Sequence, residues 1–183
     1  MAEYDFERLN ILVAEDSSFL SSLMLTALHE LGVANIKTVT DGGEAIEVLK
    51  LTKSNPSLAG ILNIDLVVSN WQMTPIDGLM LLRWVRRHKD SPNRFMPFIM
   101  VSAYSDTKSV SLARDMGVTE FMTKPFSIQT FASRLVQVIE RPRQFLQTGD
   151  YFGPDRRRKS IPFGDDERRL LDDGSPEVEI VYG

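Results

Sequence analysis

Short apolar runs alternate with amphipathic stretches along the first 140 residues of the chain. The runs predict five β-strands, at residues 10–14, 36–39, 66–69, 98–101 and 120–122. Apolar residues at helical spacing follow each strand, and they predict helices at about 18–31, 43–49, 79–88, 108–116 and 128–139. Strands that alternate with helices in this way indicate an α/β fold in which a five-stranded parallel sheet carries helices on both faces.

The character of the sequence changes after Arg141, where glycine and proline recur and charges come in blocks. This composition predicts a folded domain at residues 1–140 and a flexible, arginine-rich C-terminal extension at residues 141–183. A few apolar residues in the extension could anchor it to the domain, namely Tyr151, Phe152, Ile161 and Phe163.

Composition narrows the chemistry further. The chain has no cysteine and only two histidines, which excludes disulfides, thiolate chemistry and multi-histidine metal sites. A net charge of −4 gives no overall attraction to nucleic acid or to an anionic membrane. No apolar run approaches the roughly 20 residues that span a bilayer, and the N-terminus lacks a signal-peptide pattern. We therefore expect a cytoplasmic protein without membrane contact.

Polar residues stand where four of the predicted strands end. Glu15 and Asp16 follow the first strand, Asn70 ends the third, Ser102 ends the fourth and Lys124 follows the fifth. The carboxyl ends of parallel strands meet at one edge of a sheet, so we expect these side chains to converge. Carboxylates suit a hard cation, whereas a lysine and a hydroxyl suit phosphoryl oxygens.

These residues and their surroundings resemble the response-regulator receiver family of two-component signalling, especially its single-domain chemotaxis members. The matching segments are residues 11–16, 65–73, 77–79, 101–103 and 124–126. The resemblance implies a doubly wound, flavodoxin-like sheet of strand order 2-1-3-4-5 and a function in phosphorelay or chemotaxis-type signal transduction rather than in catalysis.

The resemblance also implies a role for each position of the site. Mg²⁺ would be bound by Glu15, Asp16, the side chain at position 70 and the backbone carbonyl of Gln72. Ser102 and Phe121 would be the switch residues, and Lys124 would be their cationic partner. Pro125 matches a position that the family occupies with a cis-proline.

Asn70 departs from the family pattern, which has a phosphoacceptor aspartate at this position. A neutral amide is a much poorer nucleophile than a carboxylate, and it weakens Mg²⁺ binding by removing one negative charge. Three explanations remain open: a natural pseudo-receiver, a deliberately inactivated form of an ordinary receiver, and unusual chemistry such as deamidation to aspartate. Asp65 and Asp77 are poor substitutes, because Asp65 begins a strand and Asp77 suits a helix cap.

The resemblance further implies a partner surface at residues 106–140, for a histidine kinase or phosphotransfer protein, a downstream target, or a second copy in a homodimer. Its exposed candidates are Lys108, Arg114, Gln129 and Arg134. Trp71, Met73 and Trp84 could also line a partner surface, although packing at the edge of the core is the simpler interpretation.

The basic cluster of the extension consists of Arg156, Arg157, Arg158 and Lys159. It could be a solvated tail, a docking segment for an acidic surface, or a site for a phosphate-rich ligand such as a cyclic dinucleotide. Nucleic acid is disfavoured because acidic residues 165–167 follow closely. An enzyme of the haloacid-dehalogenase type is a weaker alternative, because its second acid lies two residues after the nucleophile, where this chain has Ser18 after Asp16.

Overall fold

The computed structural model describes residues 6–55, 63–156 and 179–181. Five parallel strands form the central sheet in the order β2-β1-β3-β4-β5. Their bounds are β1 Asn10–Ala14, β2 Asn35–Val39, β3 Leu66–Asn70, β4 Phe98–Ser102 and β5 Glu120–Thr123. The predicted α/β class and the 2-1-3-4-5 strand order are confirmed.

The helices that connect these strands are α1 Ser18–Glu30, α2 Gly42–Ser54, α3 Gly78–Arg87, α4 Thr107–Asp115 and α5 Ile128–Glu140. A short 3-10 helix, Phe6–Arg8, precedes β1. Each of the five α-helices begins after a serine or aspartate whose side chain accepts a hydrogen bond from a backbone N–H of the first turn. These N-cap residues are Ser17, Asp41, Asp77, Asp106 and Ser127.

The strands bury both of their faces, because alternate residues point into two separate hydrophobic layers. In β1, Ile11 and Val13 pack towards α1 and α5, whereas Leu12 and Ala14 pack towards α2 and α3. This arrangement explains why β1 and β3 read as continuous apolar runs. It also places the strand ends, where polar residues begin, at the edges of a rigid core.

The start of the C-terminal extension is ordered, which differs from the expectation that glycine and proline would prevent regular structure there. Residues Phe145–Gln147 (β6), Phe152–Pro154 (β7) and Glu179–Val181 (β8) form a small antiparallel sheet with β6 in the centre. Aromatic packing accounts for the difference, since Phe145 and Phe152 are both buried and both contact the ring of Phe95. Of the other predicted anchors, Tyr151 is half-buried, and Ile161 and Phe163 lie outside the described residues.

Arg86 connects this extension to the domain. It is fully buried near the amino ends of β4 and β5, where its guanidinium donates to the carbonyl oxygens of Gly117, Arg94 and Met96 at 2.7–2.9 Å. The guanidinium carbon also lies 5.2 Å from the ring centre of Phe145. Burial lowers the pKa of Arg86 to about 9, so the side chain is still charged at neutral pH. The sequence did not single out this residue.

Candidate functional site

The polar residues predicted from the strand ends do converge. Glu15 and Asp16 directly follow β1, Asn70 ends β3, and Lys124 follows β5 across the sheet. Asn70, only 6% exposed, forms hydrogen bonds with the other three residues and with the backbone of Gln72. It is therefore the centre of this group, which we call the Asn70 site.

The amide group of Asn70 has a separate set of partners at each of its two ends. Its nitrogen, Nδ2, lies 3.1 Å from Glu15 Oε1, 3.0 Å from Asp16 Oδ1 and 2.8 Å from the carbonyl oxygen of Gln72. Its oxygen, Oδ1, accepts a hydrogen bond from Lys124 Nζ at 3.1 Å. The opposite orientation would place the amide oxygen against three acceptors and its NH₂ against an ammonium group. The neighbours therefore fix the orientation of the amide.

Lys124 and Glu15 form an ion pair beside the amide. The distance from Lys124 Nζ to Glu15 Oε2 is 3.0 Å, and the carboxylate of Glu15 is inaccessible to solvent. Burial raises the pKa of Glu15, and the hydrogen bond from Lys124 opposes that effect. The exposed Asp16 supplies a second carboxyl group, so two acids and one lysine surround the amide.

A magnesium ion would need the same oxygen atoms that the amide now engages. Two carboxylates and a carbonyl are a suitable ligand type for Mg²⁺. However, Glu15 Oε1, Asp16 Oδ1 and the carbonyl of Gln72 all face Asn70 Nδ2, which contributes hydrogen-bond donors and no ligand. Among the described residues, no group of three or more His, Cys, Asp or Glu side chains could hold a metal ion. As arranged here, the site does not fit Mg²⁺ unless the amide moves.

The two predicted switch residues lie on neighbouring strands. Ser102 is fully buried at the end of β4, and its hydroxyl oxygen accepts the backbone N–H of Tyr104 at 2.9 Å. Phe121 is half-buried on β5 and packs edge-on against Trp71, with ring centres 6.0 Å apart. Trp71 also contacts Tyr104 at 5.6 Å. Trp71, which directly follows Asn70, is thus in contact with both Phe121 and Tyr104. The sequence analysis missed Tyr104, because an exposed tyrosine in a loop carries no distinctive sequence signal.

The loop after β3 holds the backbone of the site closely. Gly78 begins α3, and a Cβ atom at this position would overlap the backbone oxygen of Asn70 and approach Ser69 Oγ to 2.8 Å. Only glycine allows α3 to start this close to the strand. The peptide bonds before Pro75 and Pro125 are both cis, and Pro125 is where the family resemblance placed one.

The remaining predictions about individual side chains have mixed outcomes. Asp65 accepts a hydrogen bond from the backbone of Asn10 at the amino edge of the sheet, and Asp77 caps α3, as predicted. Met73 is buried, and Trp71 and Trp84 pack against the core, which favours packing over a partner surface.

The expected partner surface at residues 106–140 is less uniformly exposed than predicted. Lys108 and Gln129 are exposed, but Arg114 and Arg134 are half-buried. The guanidinium of Arg134 lies 3.7 Å from the buried carboxylate of Glu120. These two arginines are therefore only partly exposed, since long aliphatic stems can lie along a helix while the charged group stays near solvent.

Only one residue of the basic cluster in the extension is described. Arg156 forms an ion pair with Asp115 of α4, and its guanidinium carbon lies 4.8 Å from the ring centre of Tyr151. It is thus attached to the domain. Arg157, Arg158 and Lys159 lie outside the described residues. In the described part of the chain, no helix is both long and apolar enough to cross a membrane.

The fold and the Asn70 site define a signalling receiver module, and comparison with known proteins agrees. The family model for the response regulator receiver domain matches residues 11–136. The chain belongs to this family.

Its relatives include chemotaxis regulators. Chemotaxis protein CheY of Pseudomonas aeruginosa is 29% identical over 133 residues, which are 73% of this chain and 98% of the relative. Chemotaxis protein CheY-3 of Vibrio cholerae is 27% identical over 135 residues, or 74% and 95%.

Solved structures show the same relationship. The receiver domain of the Francisella response regulator 1452 is 29% identical with a TM-score of 0.60, and the match covers 73% of this chain and 98% of that one. CheY in the CheX-CheY-BeF3-Mg+2 complex of Borrelia burgdorferi is 26% identical with a TM-score of 0.59, with coverage of 72% and 89%. This chain is therefore a receiver of two-component signalling that is similar to the chemotaxis regulators.

Proposed function

We propose that this chain is a pseudo-receiver, which transmits its signal through protein contacts without phosphorylation of residue 70. The observation that carries the proposal is the bonding of the Asn70 amide. Its nitrogen faces the three oxygens that would otherwise hold a cation, and its oxygen faces Lys124. The amide thus stands where a nucleophilic carboxylate would be, and its nitrogen forms hydrogen bonds with the oxygens that would bind a metal ion.

The chemical argument has two parts. An amide oxygen is a weak nucleophile, so attack on a phosphoryl donor is strongly disfavoured compared with a carboxylate. In addition, the amide oxygen is already hydrogen-bonded to the lysine that would bind phosphoryl oxygens. The site therefore rests in one arrangement that is stable by itself, and Mg²⁺ binding is weakened because the ion must displace hydrogen bonds.

The partners follow from the same proposal. A histidine kinase or phosphotransfer protein would act as a binding partner rather than as a phosphodonor, and a downstream protein would receive the signal. The surface at residues 106–140, which includes exposed Lys108 and Gln129, is the proposed contact region, and it could also serve a homodimer. A relative from Borrelia burgdorferi forms a complex with the protein CheX, which supports a binding role for this kind of domain. Such a module would work in the cytoplasm.

The direct test is intact mass spectrometry after incubation with Mg²⁺ and a small-molecule phosphodonor. We expect no phosphoryl adduct on the unmodified protein and one adduct on Asn70→Asp. The control is Asn70→Asp combined with Lys124→Ala, which keeps the carboxylate and removes its cationic partner. Peptide mapping of the unmodified protein distinguishes deamidation, because it would find aspartate at position 70. A phosphoryl adduct on a verified Asn70 would contradict the proposal.

A second test separates a binding module from an enzyme. The two carboxylates of the site are adjacent in sequence and one of them is paired with Lys124, so neither is placed as a phosphohydrolase nucleophile with its acid partner. We expect no turnover of a chromogenic phosphate ester, with or without Mg²⁺. Measurable turnover that disappears in Asp16→Asn would favour the haloacid-dehalogenase alternative instead.

A further inference from the structure

We propose that a cationic cleft on the far side of the molecule from Asn70 binds a small phosphorylated anion. The cleft lies between the loop of residues 88–95, which follows α3, and residues 147–152, which include the turn that joins β6 and β7. Its volume is about 610 Å³. That is within the range of about 300–1,000 Å³ usual for small-molecule sites. The C-terminal extension forms one of its walls, so the extension completes the site.

The charge of the cleft is opposite to that of the whole chain. Arg87, Lys89 and Arg94 line it together with the buried Arg86, while Asp150 contributes one carboxylate. The chain as a whole carries −4. Positive charge gathered in a concave surface attracts anions more strongly than the same charge spread over an open face.

These cations have not been neutralised by neighbours. Within residues 6–55, 63–156 and 179–181, neither the ammonium group of Lys89 nor the guanidinium of Arg94 forms an ion pair. Arg87 Nη2 donates only to a neutral acceptor, the carbonyl oxygen of Asp150, at 3.2 Å. Three positive charges in one cleft therefore remain available to a ligand of multiple negative charge.

Arg94 is held in a position that suits phosphate recognition. Its guanidinium carbon lies 3.4 Å from the ring centre of Phe152, and the residue is exposed. Stacking on an aromatic ring uses the face of the guanidinium and leaves its N–H donors free in the plane. Those donors match two oxygens of a phosphate group bidentately.

Ser91 provides a second, independent observation. Ser91 is one of the residues that line the same cleft, and its buried hydroxyl has no hydrogen-bond partner within the described part of the protein. A buried hydroxyl without a partner is unfavourable, because it has lost its hydrogen bonds to water and gained none in return. A ligand oxygen in the cleft would supply the hydrogen-bond acceptor that this hydroxyl lacks. A ligand with several acceptor oxygens is thus favoured over a simple monovalent anion.

The confined volume and the negative net charge favour a small ligand over a nucleic acid. A long polyanion would extend past the cleft onto a surface that repels it overall, whereas a diphosphate fits inside. A nucleoside diphosphate could in addition stack its base on Arg94 or on the partly exposed Phe95.

The test is isothermal titration of the full chain with inorganic pyrophosphate and, in parallel, with a nucleoside diphosphate. Lys89→Ala and Arg94→Ala remove one cation each, and Arg83→Ala is the matched control, since Arg83 is an exposed arginine of α3 outside the cleft. We expect about tenfold weaker binding in each cleft variant, the size usual for a charge-assisted hydrogen bond, and an unchanged affinity in the control.

The outcomes are decisive in both directions. Tighter binding of the nucleoside diphosphate than of pyrophosphate supports the cleft and adds a contact to the base. No binding to the unmodified protein at physiological salt would overturn the proposal, as would an equal loss in Arg83→Ala. Loss in Arg94→Ala without loss in Lys89→Ala also counts against it, because weakened packing of Phe152 would explain that result, whereas Lys89 is exposed.

Discussion

Each end of the central sheet contains a cationic side chain with several hydrogen-bond acceptors, but the kind of acceptor differs between the two ends. At the carboxyl end, Lys124 is paired with the carboxylate of Glu15 and with the amide of Asn70. At the amino end, the fully buried Arg86 is bonded to three backbone carbonyls and packs on Phe145. Lys124 is thus stabilised by side chains that can change conformation, whereas the charge of Arg86 is stabilised by backbone dipoles that cannot move independently.

This difference shows which end of the sheet can carry a signal. Partners on side chains, such as Glu15 and Asn70, can change rotamer or exchange for a ligand. Backbone partners, such as Gly117, are fixed by the fold, so Arg86 is expected to stabilise rather than to switch.

Arg86→Ala should produce the largest effect. The change leaves the carbonyl oxygens of Gly117, Arg94 and Met96 without their donor, and each buried unsatisfied acceptor costs about 1–3 kcal/mol. We expect the free energy of unfolding to fall by about 4 kcal/mol in urea denaturation. Arg87→Ala is the control, because this neighbour is exposed and bonds one carbonyl, and its loss should stay below about 1 kcal/mol. Equal losses in the two variants would show that Arg86 has no special role.

Asn70→Asp should destabilise the protein by about 2 kcal/mol in the absence of Mg²⁺, measured by thermal unfolding. The new carboxylate would lie near Glu15 and Asp16, where two charges about 4 Å apart repel by on the order of 4 kcal/mol at an effective dielectric near 20. Attraction to Lys124 offsets part of this cost.

Added Mg²⁺ at matched ionic strength sharpens the test. It should stabilise Asn70→Asp by binding only its folded state, and it should leave the unmodified protein nearly unchanged. Asn70→Ala removes the amide without adding a charge, so it should gain no dependence on Mg²⁺. A strong stabilisation of the unmodified protein by Mg²⁺ would show that the amide moves aside readily, and the pseudo-receiver proposal would lose its main support.

The carboxyl end of the sheet could be predicted from sequence because its residues directly follow apolar runs. Glu15, Asn70, Ser102 and Lys124 each stand at a position that the parallel sheet brings to one edge. The hydrogen bonding of the amide could not be predicted, because strand-end positions do not show which way an amide points or which acceptors surround it.

The amino end was not predicted, and the reason is physical. Arg86 lies four residues after the buried Leu82, on the apolar face of α3, but helical spacing does not show which acceptors would satisfy a buried guanidinium. The strands of the extension are three residues long, and β6 pairs with residues 179–181, more than 30 positions later. Local patterns carry little information about such short, distant pairings.

Gly117→Ala tests the contact between the domain and its extension. Gly117 has a φ angle of +87°, and a Cβ atom there would lie 2.8 Å from the backbone oxygen of Phe152. We expect a loss of about 2 kcal/mol and faster hydrogen exchange in residues 145–154. Gly32→Ala is the matched control, because Gly32 has a similar φ of +84° but nothing within 4 Å of its Cβ position. The control should show backbone strain alone, without any change of exchange in the extension.

Tyr151→Phe should have the smallest effect, about 1 kcal/mol at neutral pH, because it removes one hydrogen bond from the hydroxyl to the carbonyl oxygen of Pro154. Burial raises the pKa of Tyr151 to about 12, against an ordinary value of about 10. A raised pKa in the folded state means that this stabilisation is complete below about pH 10 and is lost as the pH rises through about 12. The difference in unfolding free energy between the unmodified protein and Tyr151→Phe should therefore shrink over that interval. A difference that stays constant to pH 12 would place the hydroxyl in solvent, and the extension would then be held by Phe145 and Phe152 without help from Tyr151.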